Sequence, residues 1–116
     1  MTGVLLIQLG TPDSPSVRDV RKYLSEFLND PRVIDIPYLL RKFLVNIIIV
    51  PFRAPKSAKL YKQLWTDKGS PLIFYSESIK EKVRSALGSN FEVELAVRYQ
   101  SPSMDAVLGR MQKKGY

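Results

Sequence analysis

The sequence predicts an α/β fold, a parallel sheet flanked by helices, on three observations. The first is Gly3-Val4-Leu5-Leu6-Ile7-Gln8-Leu9-Gly10-Thr11-Pro12, an almost unbroken apolar run that stops on a flexible and then a rigid residue. A run of this kind reads as a strand buried on both faces, as at the centre of a parallel sheet. The second is Phe91–Tyr99, which alternates at first and so reads as a second strand with one more exposed face or an edge position. The third is the interval between them, which is filled by helical periodicity, as a crossover between parallel strands requires. Ligands of open α/β sheets bind outside the carboxyl ends of such strands, which directs attention to Gln8–Pro12 and, on the second strand, to Arg98.

The elements follow in order. Val17, Val20, Leu24, Phe27 and Leu28 recur at helical spacing, with Pro15 suited to the first helical position, a serine as cap and Asp19 set against the helix dipole. Arg18, Arg21, Lys22 and Glu26 form its outer face. Asn29-Asp30-Pro31 ends this helix, and Arg32–Pro37 reads as an extended link. Tyr38–Pro51 is more apolar than one packing face requires, yet too short and too charged to span a bilayer, which needs roughly 20 apolar residues. Two readings stay open for it. One is a buried helix. The other is an exposed apolar lip at a membrane interface or ligand, with Arg41, Lys42 and Arg53 toward anionic groups.

Pro55 starts the next predicted helix, in which Leu60, Tyr61, Leu64 and Trp65 share a stripe and lysines lie elsewhere. Asp67–Pro71 is a turn. Ser70 caps a helix over Leu72–Leu87, closed by Gly88, with Leu72, Ile79, Val83 and Leu87 inward and Lys80, Glu81, Lys82 and Arg84 in solvent. After the second strand, Ser101 or Ser103 caps a last helix carrying Met104, Val107, Leu108 and Met111. Two parallel strands make a poor sheet, so a third strand is expected beyond Tyr116 and the 116 residues are expected to open a longer protein.

Composition narrows the chemistry. Hydrophobic residues make up 45% and charged residues 25%, as in an ordinary globular protein. There is no cysteine and no histidine, which removes thiolate metal sites, disulfides and the commonest general base. The net charge of +7 suits an anionic partner, or simply solubility. The cations are scattered over several helix faces, and no GxGxxG or P-loop pattern accompanies them, so no nucleic-acid partner is expected. No secretory signal is visible, and a cytoplasmic location follows as the default.

Together these stretches resemble the N-terminal region of a ferrochelatase, over essentially the whole chain. The resemblance is carried by Gly3–Asp13, by Val17–Leu24 followed by Phe27–Pro37, and by Pro51-Phe52-Arg53 with Lys56-Ser57-Ala58. It continues in Tyr61, Trp65 and Gly69-Ser70-Pro71-Leu72, and in Ala96-Val97-Arg98-Tyr99 with Ser101-Pro102-Ser103. It implies a Rossmann-like, chelatase-type three-layer domain, one of a similar pair with a cleft between them, of which residues 1–116 are the N-terminal part of the first. It implies insertion of ferrous iron into a porphyrin, the last chemical step of haem formation, a lyase reaction in which iron and porphyrin are substrates and no cofactor is expected in this chain.

Carried over residue by residue, the resemblance implies that Gln8, Leu9, Gly10 and Thr11 line the cleft. It implies that Arg53 meets a porphyrin propionate and that Tyr61, Ser70, Arg98 and Tyr99 line the macrocycle's pocket. The lip Tyr38–Val50 is implied to border the cleft and touch a membrane. The family's catalytic histidine and glutamate belong to its later part, so no catalytic residue and no metal ligand is expected here, and these residues alone are expected to be inactive. The rival readings are a basic α/β module for a phosphate or nucleic acid, and a peripheral membrane adaptor acting through Tyr38–Val50.

Overall fold

A computed structural model describes residues 1–116. The element order is β1 (Thr2–Gly10), α1 (Val17–Leu28), α2 (Tyr38–Phe43), a π-helical stretch (Leu44–Ile49), α3 (Val50–Leu64), α4 (Pro71–Leu87), β2 (Phe91–Tyr99) and α5 (Met104–Lys113). The chain divides into two compact units, Met1–Thr11 with Ser70–Tyr116, and Pro12–Gly69.

In the first unit β1 and β2 pair in parallel, with Thr2 beside Phe91 at one end and Gly10 beside Tyr99 at the other. Side chains alternate across a strand, so the two faces take different partners. Ala96 and Leu5 pack with Val107, Met111 and Tyr116 of the α5 side. Leu6 and Leu95, side by side in the register, line a cavity with Ser76 and Ile79 of α4. The unit is therefore helix, sheet, helix. Gly3 fits this packing for a steric reason, since a Cβ there would stand 2.7 Å from Met111 Cε and 2.8 Å from Tyr116 Cβ.

The strands exchange the roles that periodicity suggests. Val93–Val97 of β2 are all buried, whereas Ile7 and Leu9 of β1 are 55% and 52% exposed. Both helices lie mainly over β2, which leaves β1 the less covered strand. The alternating glutamates that made β2 look exposed are neutralised. Glu94 accepts from Arg110 Nη2 at 2.9 Å with Lys114 Nζ at 3.9 Å, and Glu92 accepts from Arg84 Nη2 at 3.2 Å. Arg84 also donates to the Val93 carbonyl, so it holds the strand rather than standing in solvent. Along α4 the buried residue is Ser76, while Ile79 and Leu87 are exposed instead of facing inward. Ser103 caps α5, its Oγ accepting from Ala106 N at 3.2 Å, and Leu108 stays exposed.

In the second unit α1 packs on α3. Val20, Tyr23, Leu24 and Leu28 are buried, as are Val50, Ala54 and Ala58, spaced by four so that they share one face of α3. The two alanines let the helices approach closely. Tyr23 stacks on Phe27 and meets Tyr61 edge-on, 6.4 Å between centroids. Ser16 is the cap, accepting from Asp19 N, so Pro15 precedes the cap instead of opening the helix. The link after α1 is not extended. Asp30 turns it, its carbonyl accepting from Val33 N and Ile34 N and its carboxylate from Arg32 N.

Tyr38–Leu64 is helical throughout, with α2, the π-helical stretch and α3 in direct succession. Pro55 therefore lies inside α3 and does not begin it. The proline that shapes this helix is Pro51. A proline donates no backbone bond, and its ring would press on the carbonyl four residues back, Ile47. The wider π turn relieves that contact: Val50 N bonds to Val45 O, five residues back, and Pro51 sits in the first turn of α3, where no donor is needed.

The segment is not a buried helix. Val45 and Val50 turn inward, but Leu39 is 80% and Phe52 76% exposed, and Tyr38, Leu40, Phe43 and Ile47 are exposed with them. Arg41 does not face outward. It is 7% exposed, donates from Nη1 to the Ile36 carbonyl at 3.1 Å and lies over the Tyr38 ring. No helix is long and apolar enough to cross a membrane.

Candidate functional site

The parallel register sets Gln8 beside Val97 and Gly10 beside Tyr99, so both strands end together. Gly10 is required at this end. Its φ is +123°, and a Cβ would strike the Tyr99 carbonyl. Beyond Tyr99 the chain folds back, with the Pro102 carbonyl accepting from Val97 N at 2.8 Å. Arg98 is exposed, its guanidinium 5.0 Å from the centroid of the Tyr99 ring. Thr11 Oγ1 and Ser70 Oγ share a buried hydrogen bond of 2.9 Å. Ser70 caps α4 by position, but its side chain makes no capping bond to its own helix and is turned to Thr11 instead.

Gln8, Leu9, Gly10, Thr11, Ser70, Arg98 and Tyr99 are thus brought to one end of the sheet. They differ in what they offer. Leu9 and Arg98 are exposed and Gln8 is half-buried, so these three present side chains. Gly10, Thr11, Ser70 and Tyr99 are buried and give the end its shape. Beside them a cavity of about 140 Å³ is lined by Leu6, Ile7, Gln8, Ser76, Ile79 and Leu95. Ser76 escaped the sequence reading. Its signal is a small hydroxyl residue one turn after Leu72, on the face expected to be apolar.

Arg53 and Tyr61 belong to the other unit, two turns apart on α3. Arg53 is exposed. Tyr61 is half-buried against Tyr23, and burial pushes its phenol above the ordinary tyrosine value. Leu60 and Leu64 of the same helix are exposed, which leaves the stripe divided between packing and surface. No group of three or more Asp, Glu, His or Cys side chains converges anywhere in the chain.

The family model described as Ferrochelatase matches residues 1–116. The chain belongs to the ferrochelatase family. A ferrochelatase of Coxiella burnetii is 52% identical over 111 residues, covering 96% of this chain and 31% of that protein. A ferrochelatase of Legionella pneumophila is 46% identical over 95% of this chain and 33% of its own length, and one of Marinomonas sp. is 47% identical over 97% and 36%. The chain spans about a third of the length of the curated ferrochelatases it matches. Its α/β sheet with helices on both faces fits the Rossmann-like domain expected of the family.

Proposed function

We propose that this chain forms the N-terminal part of the first domain of a two-domain ferrochelatase, a cytoplasmic lyase that inserts ferrous iron into a porphyrin. In this reading the chain binds the macrocycle and leaves the chemistry to a histidine and a glutamate in residues outside it, so that alone it is inactive. The observation that supports it most is the family match over residues 1–116 falling on a chain whose strand ends gather Gln8–Thr11, Ser70 and Arg98.

A porphyrin needs an apolar surface for its rings and cations for its carboxylates. Leu9 and the Gln8 amide serve the ring, and Arg98 serves an anionic edge. Arg53 is assigned to a propionate, where a guanidinium fork matches a carboxylate with two parallel bonds. Tyr61 adds a neutral phenolic hydroxyl that does not repel the propionates. The exposed residues from Tyr38 to Ile48 form an apolar lip that rests at a membrane interface, from which an apolar substrate arrives.

The test is a porphyrin titration of the intact protein, read by quenching of porphyrin fluorescence. Arg53→Ala should weaken binding about tenfold, the worth of a charge-assisted hydrogen bond, with the thermal midpoint unmoved because the side chain is exposed. Unchanged affinity removes the propionate role, and an intact protein that binds no porphyrin removes the whole reading.

A further inference from the structure

Between α1 and the π-helical stretch lies an open groove of about 340 Å³, lined by Arg18, Arg21, Lys22, Ser25, Asn46 and Val50. We propose that this groove binds a phosphate group. The inference stands on the groove alone and does not need the porphyrin reading.

The lining carries two guanidinium groups and an ammonium and no carboxylate. Asn46 adds to this. Its Oδ1 accepts from Ser25 Oγ at 3.1 Å and from Asn29 Nδ2 at 3.0 Å, so the end of the amide left for a ligand is the Nδ2 donor. Donors on several sides fit an oxyanion with three or four acceptor oxygens better than a lone carboxylate.

The cations are also badly placed for α1 itself. Arg18 lies in its first turn, where the helix dipole disfavours positive charge. Arg18 stands three and four residues from Arg21 and Lys22, the spacing at which like charges repel across a helix face. The neighbouring carboxylates do not enter the groove. Asp19 accepts from the Ser14 hydroxyl, and Glu26, one turn further on, is not part of the lining. A bound anion removes that repulsion.

Two sources share this chemistry, a free phosphate and the head group of an anionic phospholipid. The second has a tail to place, and Val50 in the wall and the exposed Ile47 and Ile48 next to Asn46 offer it apolar surface.

The test uses the intact protein and two probes, inorganic phosphate followed by titration calorimetry and phosphatidylglycerol in phosphatidylcholine vesicles followed by cosedimentation, with pure phosphatidylcholine as the blank. The expected result is binding of at least one probe, lost by about tenfold or more in Arg21→Gln/Lys22→Gln at low ionic strength. Loss on vesicles alone assigns the site to a lipid, and loss with both probes assigns it to the free anion as well. Binding of neither probe by the native protein, or equal binding by the variant, overturns the proposal. Leu39→Ser/Phe43→Ser tests the lip separately: if it abolishes vesicle binding that Arg21→Gln/Lys22→Gln leaves intact, the lip holds the membrane and the groove does not. Arg18→Gln, a single exposed change, repeats the comparison should the double variant melt early.

Discussion

Thr11 and Ser70 stand 59 positions apart in the chain, yet their hydroxyls meet at 2.9 Å in a buried hydrogen bond. The bond ties the end of β1 to the start of α4. Either hydroxyl left alone would be buried without its partner, and an orphaned polar group costs about 1–3 kcal/mol. Thr11→Val and Ser70→Ala should each lower the stability of the intact protein by about that much. The double variant should cost clearly less than their sum, because no orphan remains. A double-mutant cycle on chemical denaturation measures the coupling, and strict additivity would show that the hydroxyls do not depend on each other.

Gly10 supports a second expectation at the same place. Gly10→Ala puts a methyl against the Tyr99 carbonyl in a backbone conformation with φ of +123°. Gly88 has a similarly positive φ of +89° but open space around its missing Cβ. Gly88→Ala should therefore cost only backbone strain, on the order of 1 kcal/mol, while Gly10→Ala should cost more, about 2–4 kcal/mol, and separate the strand ends. Thermal midpoints of the two variants side by side decide this. Equal losses would mean that the approach of Gly10 to Tyr99 is not tight.

Much of this site was readable from residue order. Gly10 and Pro12 mark the end of β1, Ser70 and Pro71 the start of α4, and Gly88 its end, because each acts through its own backbone and needs no knowledge of neighbours. What spacing did not carry is which face meets what. Glu92 and Glu94 read as an exposed face, but Arg84, Arg110 and Lys114, distant in sequence, neutralise them and allow β2 to be the buried strand. Arg41 read as a surface cation, but the Ile36 carbonyl and the Tyr38 ring hold it inside. Pro55 read as a helix start because prolines favour that position, whereas the π turn before Pro51 had already set the helix running. Local stereochemistry was legible; long-range pairing of charges was not.

Tyr61 offers a pH test. Its phenol is raised above the ordinary value because burial disfavours the phenolate. Folded protein therefore holds that proton more tightly than unfolded chain. Stability is unaffected below the unfolded pKa of ~10 and is lost as pH rises through it toward the folded value. Tyr61→Phe has no proton to lose, so it should resist alkaline unfolding better than the native protein once corrected for the change at neutral pH. A difference titration of tyrosinate absorbance should also show one fewer late-titrating ring. An identical alkaline profile in the two proteins would mean that Tyr61 titrates as if in water.

Asn46 gives the last expectation. It sits in the π-helical stretch, and its Oδ1 accepts hydrogen bonds from Ser25 of α1 and from Asn29, the C-cap of that helix. The π turn is thus joined to α1 through one amide oxygen. Asn46→Leu keeps the bulk and removes both bonds, which should cost about 2–3 kcal/mol as two net hydrogen bonds with a donor left behind. Asn46→Asp retains an acceptor at the same place and adds a negative charge beside Arg18, Arg21 and Lys22, so it should cost much less. Thermal melts of the intact protein rank the two variants. If Asn46→Asp is as damaging as Asn46→Leu, the acceptor oxygen is not what joins α1 to the π turn, and the role of Asn46 as the clasp between them falls.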